Sequence, residues 1–492
     1  MDQYHHHSKD TSNHHQEHTP LLGSDVNNVQ PYTRLETFSW LFKNGLAISG
    51  TFILHQLLEL TNIAVIGHIG KDELAAATLG NMVLNLGGYC LTVGSTTTLE
   101  KLCGQAWTGA RDKTLVGLYL QRAIAIMTAS LACIAVVFAY SSPLLVAMGQ
   151  DPKLSDLAAM YLQYSFFGMA VYSAFDAYRK FLLAQGIVYG SMCILIAAVP
   201  VNAAVQYAFV FILNLGLKGA PLGMALTYTI MLISLVVYSR VWCAAKMEQS
   251  WGGWTWKCLD DWKDYIRQAS FNVMTYLCET AAGEAAVLAI AYHSVNGGST
   301  AIGAQSVLAR TFMASRMLGN GLSSAAATRV GHALGRGSAI DARETWIQGC
   351  WLSLLSSQPL TLLLICTRSS FGYIFTKDEQ VVQLVARTLP ILAFFMLFPT
   401  INGHCYGTLR GLGRQIISAV ASFVSYYVIG VPIGLVLIFS VHVSLSSVVS
   451  MWLGLGIASF LYAAIQMLFL FMVDWKAECR RVKQQLLENN KD

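Results

Sequence analysis

Residues 220–239 read APLGMALTYTIMLISLVVYS, twenty residues without one charged side chain. About 20 apolar residues is the length a helix needs to cross the ~30 Å hydrocarbon core of a bilayer. Working outward, the same pattern recurs along the chain. Of its 492 residues 54% are hydrophobic and 12% charged, about half the charged share of a soluble protein, and mean hydropathy is +0.49. Charges this sparse cannot coat a water-soluble surface. A soluble enzyme, a nucleic-acid binder and a disordered scaffold are therefore excluded. The net charge of +5 does not argue for nucleic acid, because the basic residues sit between apolar runs. Twelve helices are expected, over 40–66, 74–100, 115–140, 157–178, 188–213, 220–243, 267–292, 301–326, 344–367, 379–405, 415–440 and 446–473. In lipid every backbone polar group needs an internal partner, so an all-α polytopic membrane protein follows rather than an open sheet.

The flanks are polar. Residues 1–37 form an expected disordered tail with His5, His6, His7, His14 and His15, whose spacing fixes no metal geometry, and with no apolar run of a cleaved signal. One sizeable linker, 244–266, is rich in Trp, Lys and Asp and separates helices 1–6 (38–243) from helices 7–12 (267–473); 474–492 form a second tail. Placing the N-terminus in the cytosol puts 23 Lys and Arg on that side and five on the other, namely Lys71, Lys153, Lys218, Arg368 and Lys377. By the positive-inside rule both termini are cytosolic. Cys90, Cys133, Cys193, Cys278 and Cys350 lie singly in apolar stretches and read as small core residues.

Three resemblances recur at one spacing of 227 residues: CGQA with VGHA at Gly104 and Gly331, LLAQG with LRGLG at Gly186 and Gly413, and Ala77 with Ala304. Six helices per repeat is an even number, so the repeats are parallel, related by an axis along the membrane normal. Transporters built this way hold their substrate path between the halves.

Charged groups within a span cost about 2.5–3.5 kcal/mol each on insertion scales and mark paths or proton relays. Glu279 and Glu284 lie in the seventh helix, Arg310 and Arg316 in the eighth. At ~1.5 Å per residue, Glu284 and Arg310 are ~13 and ~14 Å deep, Glu279 and Arg316 ~21 and ~23 Å. Two ion pairs at matched depth are expected, with at least one carboxylate as a protonation site. In the first helix His55 and Glu59 share a face. Asp176, beside Arg179 and Lys180, reads as a local surface pair. Gly87, Gly88 and Gly94 in the second helix and Gly319 and Gly321 in the eighth suit close packing. Pro390, Pro399 and Pro432 permit kinks in the tenth and eleventh.

Several motifs, in order and over nearly the whole chain after residue 38, resemble the multidrug and toxin extrusion (MATE) family, its eukaryotic, fungal-like branch most closely. They are GHIGKDELAAATLG, LCGQAWTGARDKTLVGLYLQRA, AQS in the eighth helix, RVGHALGRG, TLRGLGRQ and YYVIGVPIGLVL. The resemblance implies a V-shaped bundle of two six-helix lobes. It implies an antiporter that exports organic cations, drugs, toxins or secondary metabolites against protons, with no cofactor and no metal. It also implies that Glu279 and Glu284 carry over from a helix-7 signature of two glutamates five residues apart, the first central to transport. Thr280 and Ala281 replace the aromatic pair of that signature. Arg310 stands where the eighth helix is acidic in the family, and Pro399 near an acidic position of the tenth. Asn62, one turn from Glu59, stands where prokaryotic members have an aspartate. Glu100 and Lys101 displace a small acidic residue before CGQA. With the acidic network partly reversed in sign, a less basic or anionic substrate also fits. The site expected from sequence is Glu279, Glu284, Arg310, Arg316 and Glu59 for transport and coupling, with His55 and Asn62 in the substrate cavity.

The expected partners are a small-molecule substrate, protons and the lipid bilayer, but no nucleic acid, with a monomer as the unit. The membrane is the plasma or the vacuolar one; Glu17, Leu21 and Leu22 form an ExxxLL pattern that resembles a sorting signal toward the latter. A flippase for lipids or lipid-linked oligosaccharides, from the related superfamily, is the alternative, kept open by the arginines of the eighth helix. No metal-ligand cluster, nucleophile–base pairing or phosphate loop argues for an enzyme.

Overall fold

The computed structural model describes residues 31–293, 298–439 and 446–488; the histidine cluster and the ExxxLL pattern lie outside them. Among the described residues the chain is helical with no strand. Twelve long helices follow one another: α1 Arg34–Gly67, α2 Lys71–Gly109, α3 Thr114–Ala139, α4 Pro152–Ala184, α5 Tyr189–Ile212 and α6 Gly216–Trp242, then α7 Trp262–His293, α8 Gly298–Gly335, α9 Ala339–Cys366, α10 Glu379–Leu412, α11 Gln415–Phe439 and α12 Ser447–Met472. A thirteenth, α13 Trp475–Glu488, follows. Ten of the twelve are long and apolar enough to cross a membrane. The other two, α4 and α8, are 33 and 38 residues long but too polar; Asp176, Arg179 and Lys180 of α4 and Arg316 of α8 find ion-pair partners within the protein.

Local chemistry sets the helix ends. Thr33 caps α1 in a reciprocal box: its hydroxyl accepts from the Glu36 amide at 3.2 Å and the Glu36 carboxylate accepts from the Thr33 amide at 2.9 Å, which satisfies two orphan donors of the first turn. At the far ends of α4 and α10, Gly186 and Gly413 both take φ +76°, a left-handed cap that favours glycine. These two stand 227 residues apart, so the repeat read in the sequence is also a repeat of backbone geometry. Helix α10 breaks at Met396 into Glu379–Phe395 and Leu397–Leu412. Pro399 falls in the first turn of the second piece, where its missing N–H leaves no hydrogen bond unmade. In α2 the turn Leu84–Tyr89 is widened, Cys90 N donating to Asn85 O five residues back. Such a turn is common at functional sites.

The two halves meet at the end that carries the chain termini. There α1 and the second part of α2 pack on α7 and α8. Gly104 faces Gly331 backbone to backbone, and a Cβ added at Gly335 would stand 2.5 Å from the backbone carbonyl oxygen of Gln105. In α8, Gly321 serves the same approach against Ser49 of α1, while Gly319 packs on Pro399 of α10 within its own half. Side chains tie the seam: Gln105 Nε2 donates to Gly411 O at 2.9 Å, Thr108 Oγ1 to His332 O at 3.0 Å and His332 Nε2 to Ala184 O at 2.7 Å. Helix α13 closes this end with Trp475, Cys479, Val482 and Leu486 in the core formed by α8, α9 and α10. Toward the opposite end packing stays within each half. Residues 71–83 of α2 lie on α1 and α4, and 379–395 of α10 on α8, α9 and α12, which leaves the space between the halves open away from the termini. Gly335→Val is expected to wedge this seam and cost about 1–3 kcal/mol, as overpacking does elsewhere; a lowered melting temperature in detergent checks it.

Candidate functional site

A cavity of about 270 Å³ lies between the halves. Its first wall is built on α1. His55 and Glu59 stand four residues apart and face inward together. Tyr228, from α6, joins them: its hydroxyl lies 3.1 Å from His55 Nε2 and donates to Glu59 Oε1 at 3.1 Å. The His55 ring lies 4.5 Å from that of Tyr172, and Tyr172 meets Tyr89 edge-on at 5.7 Å. Glu59 thus lies against an aromatic surface, with no cation in ion-pair contact among the described residues. Asn62 is buried behind this wall rather than in it. It donates to Tyr161, whose hydroxyl donates to Asn81 Oδ1 at 3.1 Å, and Asn81 does line the cavity.

The second wall comes from α7, α8 and α10. Arg310, Met317 and Ser324 recur at seven-residue spacing on α8 and line the cavity together with Tyr276 and Tyr406. Seven residues is close to two helical turns, so these side chains share a face. Arg310 is exposed to the cavity and forms no ion pair or hydrogen bond among the described residues.

The floor is a buried cluster of charges. Asp176 accepts from Arg179 at 2.6 Å, from Lys180 at 2.8 Å and from Thr96 at 2.5 Å. Glu100 accepts from Ser324 at 2.8 Å, pairs closely with Arg410 and lies 4.0 Å from Lys180. Three cations and two carboxylates thereby join α2 and α4 of the first half to α8 and α10 of the second. The reading of Asp176, Arg179 and Lys180 as a surface pair is corrected here. Asp176 and Lys180 are each 2% exposed, because α4 continues past them and α2, α8 and α10 close over the turn that carries them.

Glu279 lies outside the main cavity, in a smaller one of about 50 Å³ bounded by Tyr276, Asn402, Tyr406 and Tyr426. There Arg316 pairs with it at 3.0 Å, as the depths predict. The companion pair does not form: neither Glu284 nor Arg310 has an ion-pair partner among the described residues. Depth is one coordinate and azimuth the other. At about 100° per residue, Arg310 and Arg316 project about 120° apart and Glu279 and Glu284 about 140° apart. Turning one pair face to face turns the other away. The structure therefore brings His55, Glu59 and Arg310 into one cavity, sets Glu279 and Arg316 beside it, and leaves Glu284 and Asn62 out of its lining.

Sequence reasoning passed over the tyrosines and the floor. A signal for the lining face of α2 is present: Asn81, Asn85, Tyr89, Val93 and Thr97 recur every four residues and all line the cavity. Glu100 stood just before one quoted motif and Arg410 inside another, but nothing in the sequence pairs residues 310 positions apart.

A two-lobed helical membrane protein with a charged, partly open cavity between its lobes is a transporter. The MatE family pattern matches residues 47–208 and 273–436, and the chain belongs to that family. The starts and ends of the two matches fall within one residue of the 227-residue offset. Multidrug and toxin extrusion protein 1 of Mus musculus is 31% identical over 443 residues, covering 89% of this chain and 76% of that protein. An uncharacterised transporter of Schizosaccharomyces pombe is 31% identical over 429 residues, covering 86% and 78%. The crystal structure of the eukaryotic MATE transporter AtDTX14 superposes with a TM-score of 0.83 at 20% identity, over 92% of this chain and 99% of that one; this likeness concerns the fold. The chain is thus a multi-pass membrane efflux transporter, and family membership favours efflux over the flippase alternative.

Proposed function

We propose that this transporter exports small organic compounds from the cytosol in exchange for protons. It works as a monomer, with both termini cytosolic, in the plasma or the vacuolar membrane. The observation that carries the reading is Glu59, a carboxylate in the cavity wall among Tyr89, Tyr172 and Tyr228 with no cation beside it among the described residues. Such a group attracts a cationic substrate over aromatic faces and exchanges it for a proton without breaking an ion pair. Glu279 supports the second half of the cycle. It is held by Arg316 at 3.0 Å, so proton uptake there requires the pair to open, which ties the proton to a rearrangement of the lobe. Multidrug and toxin extrusion, the activity in the names of the relatives, agrees with this assignment.

The test is efflux of N-methylnicotinamide, a small aromatic cation, from vesicles with an imposed pH gradient, for wild type and Glu279→Gln. The gradient is expected to drive efflux in wild type, and the substitution to abolish the driven component. Full transport by Glu279→Gln would remove Glu279 from the coupling mechanism. No driven efflux in wild type would overturn proton antiport.

A further inference from the structure

The charges that face the cavity can be paired off one by one. Lys180 is taken by Asp176 at 2.8 Å and Arg410 by Glu100. Among the described residues two remain, of opposite sign and on opposite walls: Glu59 from α1 and Arg310 from α8. The Glu279–Arg316 pair neutralises itself in its own smaller cavity. We propose that Arg310 is the docking point for an acidic group of the substrate, so that the favoured cargo is a zwitterion, an aromatic cation that also bears a carboxylate. This deepens the antiport reading above and rests on it.

Among the described residues Arg310 has no structural partner that would explain it. A guanidinium held at depth in a membrane protein without a counter-charge is costly and marks a path. Its position on one face with Met317 and Ser324 aims it into the same space that Glu59 enters from the other side. A substrate that is only a cation meets Glu59 but is repelled by a guanidinium that cannot lose its charge. A substrate that is only an anion meets Arg310 but is repelled by Glu59. A zwitterion satisfies both, with a carboxylate in the planar fork of Arg310 and a cationic ring against Tyr89 and Tyr172. The repulsive element for each single-charge class makes the pair of walls selective. Alternation still works for such a cargo: a proton arriving at Glu59 displaces the cationic end and leaves the acid held at one point.

N-methylnicotinate and N-methylnicotinamide test this directly. They share a pyridinium ring and nearly one size, and differ in a carboxylate against a carboxamide. In gradient-driven vesicle transport the wild type is expected to take the acid with an apparent KM about tenfold below that of the amide, the ratio that one charge-assisted hydrogen bond sustains. Arg310→Gln is expected to erase that ratio and Arg310→Lys to restore part of it, with melting temperatures in detergent recording that the variants are folded. A wild type that moves the amide as well as or better than the acid overturns this inference and leaves antiport standing. So does an Arg310→Gln variant whose KM values for both probes shift equally. Failure to move either probe overturns both readings.

Discussion

Glu100→Ala lowers the stability of the detergent-solubilised transporter by about 3–5 kcal/mol, the cost of breaking a buried ion pair from one side. Glu100 is fully buried, pairs with Arg410 and accepts from Ser324 at 2.8 Å. Its removal leaves Arg179, Lys180 and Arg410, all buried, around the single carboxylate of Asp176. The loss falls on the contact between lobes, because Glu100 is on α2 and its partners are on α8 and α10. Hydrogen exchange along residues 400–412 of α10 is therefore expected to quicken together with the fall in stability. Glu100→Gln keeps the shape and the Ser324 contact but removes the charge, and is expected to recover little of the loss. A change below about 1 kcal/mol for the alanine variant would put the cluster in the class of exposed bridges and deny it a role in closing this end.

Glu59→Gln is the second large effect. Glutamine still accepts from the Tyr228 hydroxyl, so the local packing survives while the negative charge does not. The groups around Glu59 are His55 on its own helix, Tyr228 from α6, Tyr172 from α4 and Tyr89 from α2, with Arg310 across the cavity. In wild type, protonating Glu59 removes the charge that holds a cation, so affinity for N-methylnicotinamide falls as pH falls. In Glu59→Gln the affinity is weakened at least about tenfold, as loss of a charge-assisted contact predicts, and no longer changes with pH. The measurement is equilibrium binding from pH 5 to pH 8. A slope retained in the variant would move the exchange site away from Glu59.

Together these effects describe a molecule whose neutralised charges hold it shut on one side while its unneutralised charges face the cargo. The floor cluster pairs charges across the lobes. Arg316 pairs one carboxylate within a lobe. Among the described residues that line the cavity, Glu59 and Arg310 are left to be answered by something from outside.

Much of the architecture is legible without coordinates, because it follows from quantities that add along the chain. Residues 220–239 are long and apolar enough to cross a bilayer whatever their neighbours do. The repeat at Gly186 and Gly413 needs only counting. Glu279 against Arg316 was also within reach, since rise per residue fixes depth along a helix. The pairing expected of Glu284 and Arg310 failed for lack of the rotation about each axis, which no period in the sequence supplies when both faces of a helix are buried in protein.

The burial of Asp176 and Lys180, the union of Glu100 with Arg410, and the single cavity shared by Glu59 and Arg310 were decided by how closely the two halves approach. That approach depends on glycines such as Gly104 and Gly331 touching backbone to backbone, a many-body packing outcome rather than a property of any one segment. Spans and repeat are one-dimensional and are written in the chain. Which charges are answered and which are left for a substrate is a matter of distances between segments hundreds of residues apart, and these exist only once the lobes have met.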